Sequence, residues 1–304
     1  MVYVANKNAS GTVSVINGAT NTVTATVTAG NGPVFPTVNP VTNTIYVPNY
    51  GSNTVTVIDG STNATTTVSV GSGPYAAAVN PVTNTVYVAN NGDNTVTVID
   101  GATNTTTTVP VETDPIAIVV NPVTNTIYVA NPGSNSVTVI NGATNSATRV
   151  TVGDYPTALA VNPVTNTVYV ANQSSSSVTV INGATNATTA VVAGTAPQSI
   201  AVNPATNRIY VANIGSNNVT VIDGSTNATT TVTTGTAPRT IVVNPVTGMI
   251  YTSNQIGNNV TAVSYTHLDV YKRQVWPLGR FPCAPASPPG PLSTRGCRSS
   301  GSRP

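Results

Sequence analysis

A tyrosine followed by Val or Thr recurs at Tyr3, Tyr46, Tyr87, Tyr128, Tyr169, Tyr210 and Tyr251, first after 43 residues and then every 41. A fixed period of this length means that one supersecondary unit is built again and again, each copy burying a face against the next. Within each copy four short runs of Val, Ile, Thr, Tyr and Ala are each closed by Asn, Pro, Gly or Asp. Blade-length examples are "PIAIVVNPVTN", "TIYVANPGSN", "SVTVINGATN" and "SATRVTVGDYP", consecutive from Pro115 to Pro156. β-Branched runs punctuated by such residues predict strands and tight turns, and no helical period competes. The expected unit is therefore four strands, A to D, in up-and-down order.

Four antiparallel strands per 41 residues describe the blade of a β-propeller. Strand A is small and apolar, which suits a crowded hub. Strands B and C carry Tyr, Val and Ile and would be covered on both faces. Strand D is rich in Thr, β-branched yet polar enough for an outer rim. The spacing predicts strand A six times, B seven, C seven and D six, 26 of the 28 strands of seven complete blades. Blade 1 would lack A, leaving an extra edge beside Tyr3, and blade 7 would lack D.

The motifs "IYVPN", "VYVAN", "IYVAN" and "IYTSN", each followed by "VTVID" or "VTVIN" in most copies and then "GATN" or "GSTN", resemble the YVTN-repeat β-propellers of bacterial and archaeal surface-layer-type proteins. The resemblance covers residues 1–263. It implies a seven-bladed, usually exported propeller and little assigned chemistry, because its signature residues are structural. An all-β, seven-bladed propeller is the expected fold.

Beyond residue 263 the pattern stops. "SYTHLDVYKRQ" resembles a translated adaptor, and the remainder is rich in Pro, Arg, Gly and Ser without apolar periodicity. Residues 264–304 are expected to be a disordered, non-native tail. The whole-chain charge of +2 conceals this division: residues 1–263 hold four bases and seven acids, whereas the tail holds six bases and one acid. A nucleic-acid role read from overall basicity would rest on the wrong segment, and none is expected. No apolar run reaches the length of a membrane-spanning helix, and no signal peptide precedes the first repeat.

Function is sought where the copies disagree. The A–B turns ("NPVTN") and C–D turns ("GATN") are nearly constant and are explained by turn geometry, including Asp59, Asp100 and Asp223, which alternate with Asn. Strand A opens after a Pro, and the next residue is Val34, Tyr75, Ile116, Thr157, Gln198 or Arg239, different in all six copies. The residue before that Pro also varies: Gly32, Gly73, Asp114, Tyr155, Ala196 and Ala237. These positions belong with the B–C and D–A loops at one mouth of the central channel. Glu112, Asp114, Asp154 and Asp93 bring carboxylates to the same mouth, with Arg239 across the ring and Lys7 on the rim. The candidate binding residues are therefore Tyr75, Ile116, Thr157, Gln198, Arg239, Glu112, Asp114, Asp154, Tyr155 and Asp93.

Residues 1–263 contain no His and no Cys. That removes a His-based triad, a thiolate nucleophile and an imidazole–thiolate zinc site. No phosphate or dinucleotide loop is present, and no metal or cofactor is expected. The expected function is a non-enzymatic binding or adhesive module of an exported or cell-surface protein, its partner a surface protein or glycan. The rival is an enzyme or redox propeller with a ligand or metal in the channel mouth.

Overall fold

The structure is a computed structural model that describes residues 1–7, 11–264 and 274–277. It is an all-β propeller of seven blades with one short 3-10 turn, Pro132–Ser134. Blade 3 shows the plan: strand A is Pro74–Asn80, B is Thr85–Asn90, C is Thr95–Asp100 and D is Thr106–Pro110. Each pairs antiparallel with the next. Blade 1 has three strands, Val2–Asn6, Thr12–Asn17 and Thr22–Thr28, in the order B, C, D. In blade 7 the repeat likewise contributes three, Pro238–Val243, Met249–Asn254 and Asn259–Ser264, and its own D strand is missing as expected. The described residues include one strand that the repeat did not predict. Gln274–Pro277, from beyond the expected domain boundary, pairs with the outer edge of Asn259–Ser264. The rest of the expected tail lies outside the described residues.

Strands A of neighbouring blades touch one another around the hub. In strand D a single Val is buried in an otherwise exposed run, as in Thr106–Pro110 and Ala147–Thr151. Strands B and C are buried almost throughout, because both of their faces meet another blade. The strand-B tyrosine joins each blade to the one after it: Tyr87 packs with Ile118, Ile127 and Ile140 of blade 4, and Tyr128 with Leu159, Val168 and Ile181 of blade 5. Burial of such surface is the main favourable term for a repeat protein, in which each unit holds only its neighbours. The blade 7 face differs. Tyr251 is 39% exposed, and the blade 1 strand Val2–Asn6 leaves Val2 and Val4 at 50% and 41%, where the equivalent Ile45 and Val47 are at 0%.

The constant turns have structural work to do. The last Asn of "NPVTN" is left-handed at Asn43, Asn84, Asn125, Asn166 and Asn207, a conformation Asn tolerates better than other non-glycine residues. The Asn that ends strand A reaches to the turn of the following blade: Asn39 to Asn84, Asn80 to Asn125, Asn121 to Asn166 and Asn162 to Asn207, at 2.7–2.8 Å. At the other end, the Asn that closes strand B donates to a strand-C Thr. Asn90 donates to Thr97 at 2.9 Å, and Thr97 accepts the Gly71 amide at 3.2 Å. The side-chain NH2 group is thereby partnered, whereas the Oδ1 of Asn90 and of its equivalents Asn49, Asn131, Asn172, Asn213 and Asn254 is buried with no hydrogen-bond partner among the described residues.

Candidate functional site

The mouth formed by the B–C and D–A loops is a ring of interlocked turns. The D–A loop is held by the B–C loop of the preceding blade: the amides of Gly73, Asp114, Tyr155 and Ala237 donate to the side-chain oxygens of Asn53, Asn94, Asn135 and Asn217. It also pairs with its own blade, where the Asn91 amide donates to the Gly73 carbonyl and Gln173 to Tyr155. Every residue before the strand-A Pro is left-handed, with φ of 65° at Gly32, 61° at Gly73, 69° at Asp114, 56° at Tyr155, 54° at Ala196 and 57° at Ala237. The backbone shape is therefore constant while its side chains differ.

The predicted carboxylates are dispersed. Asp93 accepts the Ser72 amide at 2.9 Å and the Thr95 hydroxyl at 2.7 Å. It takes the place that Ser175 and Ser216 fill elsewhere, accepting the amides of Asp154 and Thr195. Asp93 is thus a loop tie. Asp114 accepts from the Asn91 side chain, and Asp154 from that of Asn135 at 3.1 Å. Glu112 pairs loosely with Arg149 at 3.9 Å, both partly exposed, which contributes little. Among the described residues no three His, Cys, Asp or Glu come together as a metal site.

Of the other predicted residues, Thr157 is occupied in a bridge to the next blade, donating to the Pro197 carbonyl at 3.2 Å. The Ile116 amide donates to the Ala130 carbonyl at 3.1 Å. Gln198 accepts from Gln173 at 2.9 Å, and exposed Arg239 donates to Gln255 at 3.1 Å. Tyr75 packs against Phe35 and Tyr50, with centroids at 5.5 and 6.3 Å.

These contacts expose a second variable position. The residue after the strand-B Asn is Lys7, Tyr50, Asn91, Pro132, Gln173, Ile214 or Gln255, and four of the seven meet a residue of the first set. The pairs are Tyr50 with Tyr75, Asn91 with Asp114, Gln173 with Gln198, and Gln255 with Arg239. Aligning the copies on the strand-B Asn would have found it. Phe35 was missed for another reason. "VFP" replaces the small residues of strand A in blade 2, and Pro36 shortens that strand to Thr37–Asn39. Phe35 is turned outward, 61% exposed at φ 36°.

On the opposite face Asp59, Asp100 and Asp223 close the C–D turns. Two backbone amides donate to Asp59 Oδ1, from Ser61 and Thr62 at 2.8 and 3.0 Å, and hold its carboxyl below the usual range. The Thr103 and Ala102 amides do the same for Asp100. For Asp223 the Ser225 hydroxyl and amide act first, with Arg208 at 3.1 Å adding to them. Asn141 and Asn182 make the same turn without charge. Acid–base chemistry is not what the position requires.

Seven blades, the first of three strands and the others of four, carry variable loops at one mouth of the propeller. The family model described as "Lactonase, 7-bladed beta-propeller" matches residues 60–189, under half of the chain. No curated protein matches. Among solved structures, a Kuenenia stuttgartiensis hydrazine synthase chain is 20% identical with a TM-score of 0.71, covering 87% of this chain and 92% of that one. The dihydro-heme d1 dehydrogenase NirN is 15% identical with a TM-score of 0.74, covering 91% of this chain and 64% of that one. Virginiamycin B lyase of Staphylococcus aureus is 14% identical with a TM-score of 0.68, covering 82% and 85%. At these identities the structural likenesses show the fold.

The expectation of a non-enzyme is corrected by these findings. The matching family model is that of lactonases, and dehydrogenase and lyase chains share the fold. The absence of His and Cys from residues 1–263 removed only imidazole and thiolate chemistry. Carboxylates, guanidinium groups and backbone amides remain, and these suffice for ester hydrolysis.

Proposed function

We propose that the chain is an enzyme-type propeller whose substrate lies in the mouth lined by the B–C and D–A loops, with hydrolysis of a cyclic ester as its activity. The match of residues 60–189 to a lactonase model carries the proposal. Hydrolysis adds water to the ring carbonyl, breaks the ring C–O bond and leaves a hydroxy acid. Such a step needs a base for the water and a donor for the developing oxyanion. Arg239 is exposed at the mouth and forms no ion pair among the described residues, so its guanidinium is the candidate oxyanion donor. Asp154, exposed in the D–A loop before blade 5, is the candidate base. Residues 1–263 hold no His or Cys that could serve as the axial ligand of a haem or in a nitrogen–sulfur metal site.

The test is a panel of five- and six-membered lactones followed by pH-stat titration of released acid. Hydrolysis above the buffer rate, reduced at least about ten-fold by Arg239→Ala, is expected. No hydrolysis of any lactone, or full activity in Arg239→Ala, would overturn the assignment.

The YVTN-type repeat further supports membership of the surface-layer-type group and a location outside the cell or at its surface. Protease shaving of intact cells carrying the full gene, with immunodetection of the propeller, tests this. Protection of the propeller in intact cells is the adverse result.

A further inference from the structure

Residues 1–263 contain eleven aromatic side chains, seven of them the strand-B tyrosines. The remaining four, Phe35, Tyr50, Tyr75 and Tyr155, all belong to the B–C loops, the D–A loops or the first turn of strand A. They therefore sit at one mouth, and none of the aromatic side chains of residues 1–263 lies in the turns of the opposite face. Three of them converge. Tyr75 lies between Phe35, tilted at 54°, and Tyr50, edge-on at 81°. Phe35 is 61% and Tyr50 42% exposed. Lys7 Nζ stands 5.9 Å from the Tyr50 centroid. A Cβ added to Gly73 would come within 3.4 Å of the Tyr50 ring, so the glycine lets that ring settle over the loop.

Two of the four mouth aromatics are held in a backbone conformation that bulky residues avoid. Phe35 at φ 36° and Tyr155 at φ 56° are bulky residues in the left-handed region, and both are exposed. Such outliers persist where surrounding structure imposes them and concentrate at ligand sites. Around Phe35 the imposing contacts are visible: the Val34 amide donates to the Pro48 carbonyl at 2.9 Å and the Tyr50 amide to Gly32 at 3.0 Å.

We propose that Phe35, Tyr50 and Tyr75 form a stacking platform for a neutral sugar ring of an oligosaccharide. Their mutual tilt leaves no slot between parallel rings for a flat aromatic ligand. It offers instead electron-rich faces and edges to the C–H face of a saturated ring. Exposed Asn31, Ser52 and Ser72 in the adjoining loops offer hydroxyl and amide groups suited to sugar hydroxyls, with Asp93 beside Ser72 as the nearby carboxylate. Lys7 is the nearby cation, and it already lies over Tyr50, so a charged ligand is not required. The proposal names a ligand class for the same mouth as the hydrolytic reading, but it does not depend on catalysis.

Isothermal titration of the full chain with cellohexaose, xylohexaose, mannohexaose and chitohexaose tests it. At least one is expected to bind at millimolar concentration or tighter. Phe35→Ala and Tyr75→Ala should each weaken that binding by about ten-fold. Tyr50→Ala is the second variant should either fail to fold, with the far-ultraviolet spectrum as the check. Thr83→Ala with Thr165→Ala, on the opposite face, should leave binding unchanged. Failure of all four saccharides, or undiminished binding in the ring variants, would overturn the platform. Sugar binding without lactone hydrolysis would sink only the catalytic proposal. Hydrolysis without sugar binding would sink only this one.

Discussion

Ala196 is the place to weigh mouth chemistry against backbone comfort. It precedes a strand-A Pro at φ 54°, while blades 2 and 3 fill the same position with Gly32 and Gly73. A left-handed L-residue costs about 1–2 kcal/mol. Ala196→Gly removes that strain, and the extra freedom of glycine in the unfolded chain takes back about 0.5–1 kcal/mol. The lost methyl is only partly buried, so the balance is a gain of about 0.5–1 kcal/mol. For a domain of this size that amounts to about 1–4 °C in Tm by calorimetry. The reciprocal change is Gly73→Ala. It adds the strain and brings a Cβ within 3.1 Å of the Gly92 amide nitrogen and 3.4 Å of the Tyr50 ring. It should lose at least about 1 kcal/mol. A lowered Tm in Ala196→Gly, or a raised one in Gly73→Ala, would refute the claim that this position is strained in four of six blades.

Three further outcomes follow from the same geometry. Tyr128 is fully buried and its hydroxyl has no hydrogen-bond partner among the described residues, so Tyr128→Phe should be neutral or stabilising by up to about 2 kcal/mol, read from the denaturation midpoint; a clear loss would reveal a partner for the hydroxyl. Asp59 and Asp100 have folded pKa values held down by backbone amides, so their contribution is present above the unfolded value of about 3.9 and is lost as pH falls through the folded one. Asp59→Asn with Asp100→Asn should flatten the loss of stability as pH falls below about 4, and an unchanged acid slope would deny them the role. Val47→Thr should cost about 1–3 kcal/mol because it buries a hydroxyl, whereas Val4→Thr at the exposed edge of blade 1 should cost less than about 0.5 kcal/mol in urea denaturation.

The fold was legible because its signals are local and repeated. The apolar β-branched run in "TIYVAN" and the turn residues in "NPVTN" each report on a few neighbouring residues, and the copies repeat them with a period of 41. The single strand outside that pattern, Gln274–Pro277, carries no repeat signal, and only its pairing to Asn259–Ser264 reveals it. The mouth was legible as a place but not as an arrangement. Variation at Tyr75, Gln198 and Arg239 pointed to it, yet their contacts with Tyr50, Gln173 and Gln255 depend on how two loops meet. Asp93 was misleading because a carboxylate at a variable mouth resembles a ligand until its two oxygens are seen occupied by Ser72 and Thr95. Phe35 was hidden by one proline, which moved the start of a strand by four residues relative to Pro74–Asn80.

The links from Asn39 to Asn84, Asn80 to Asn125, Asn121 to Asn166 and Asn162 to Asn207 are four copies of one joint, each spanning 45 residues. An assembling chain cannot tell these joints apart by energy. A blade that docks one place too far along meets the same tyrosine pocket and the same asparagine clasp, and loses only the blade it skipped. Near-identical units therefore carry a built-in risk of misassembly and of exchange between molecules. The same indifference has a productive side. Copying or deleting one of the central blades leaves the joints on either side alike while reshuffling which side chains stand beside one another at the mouth. In such a protein, new neighbours for Tyr75 or Arg239 can arise by changing the order of the blades, without altering a single residue of the core.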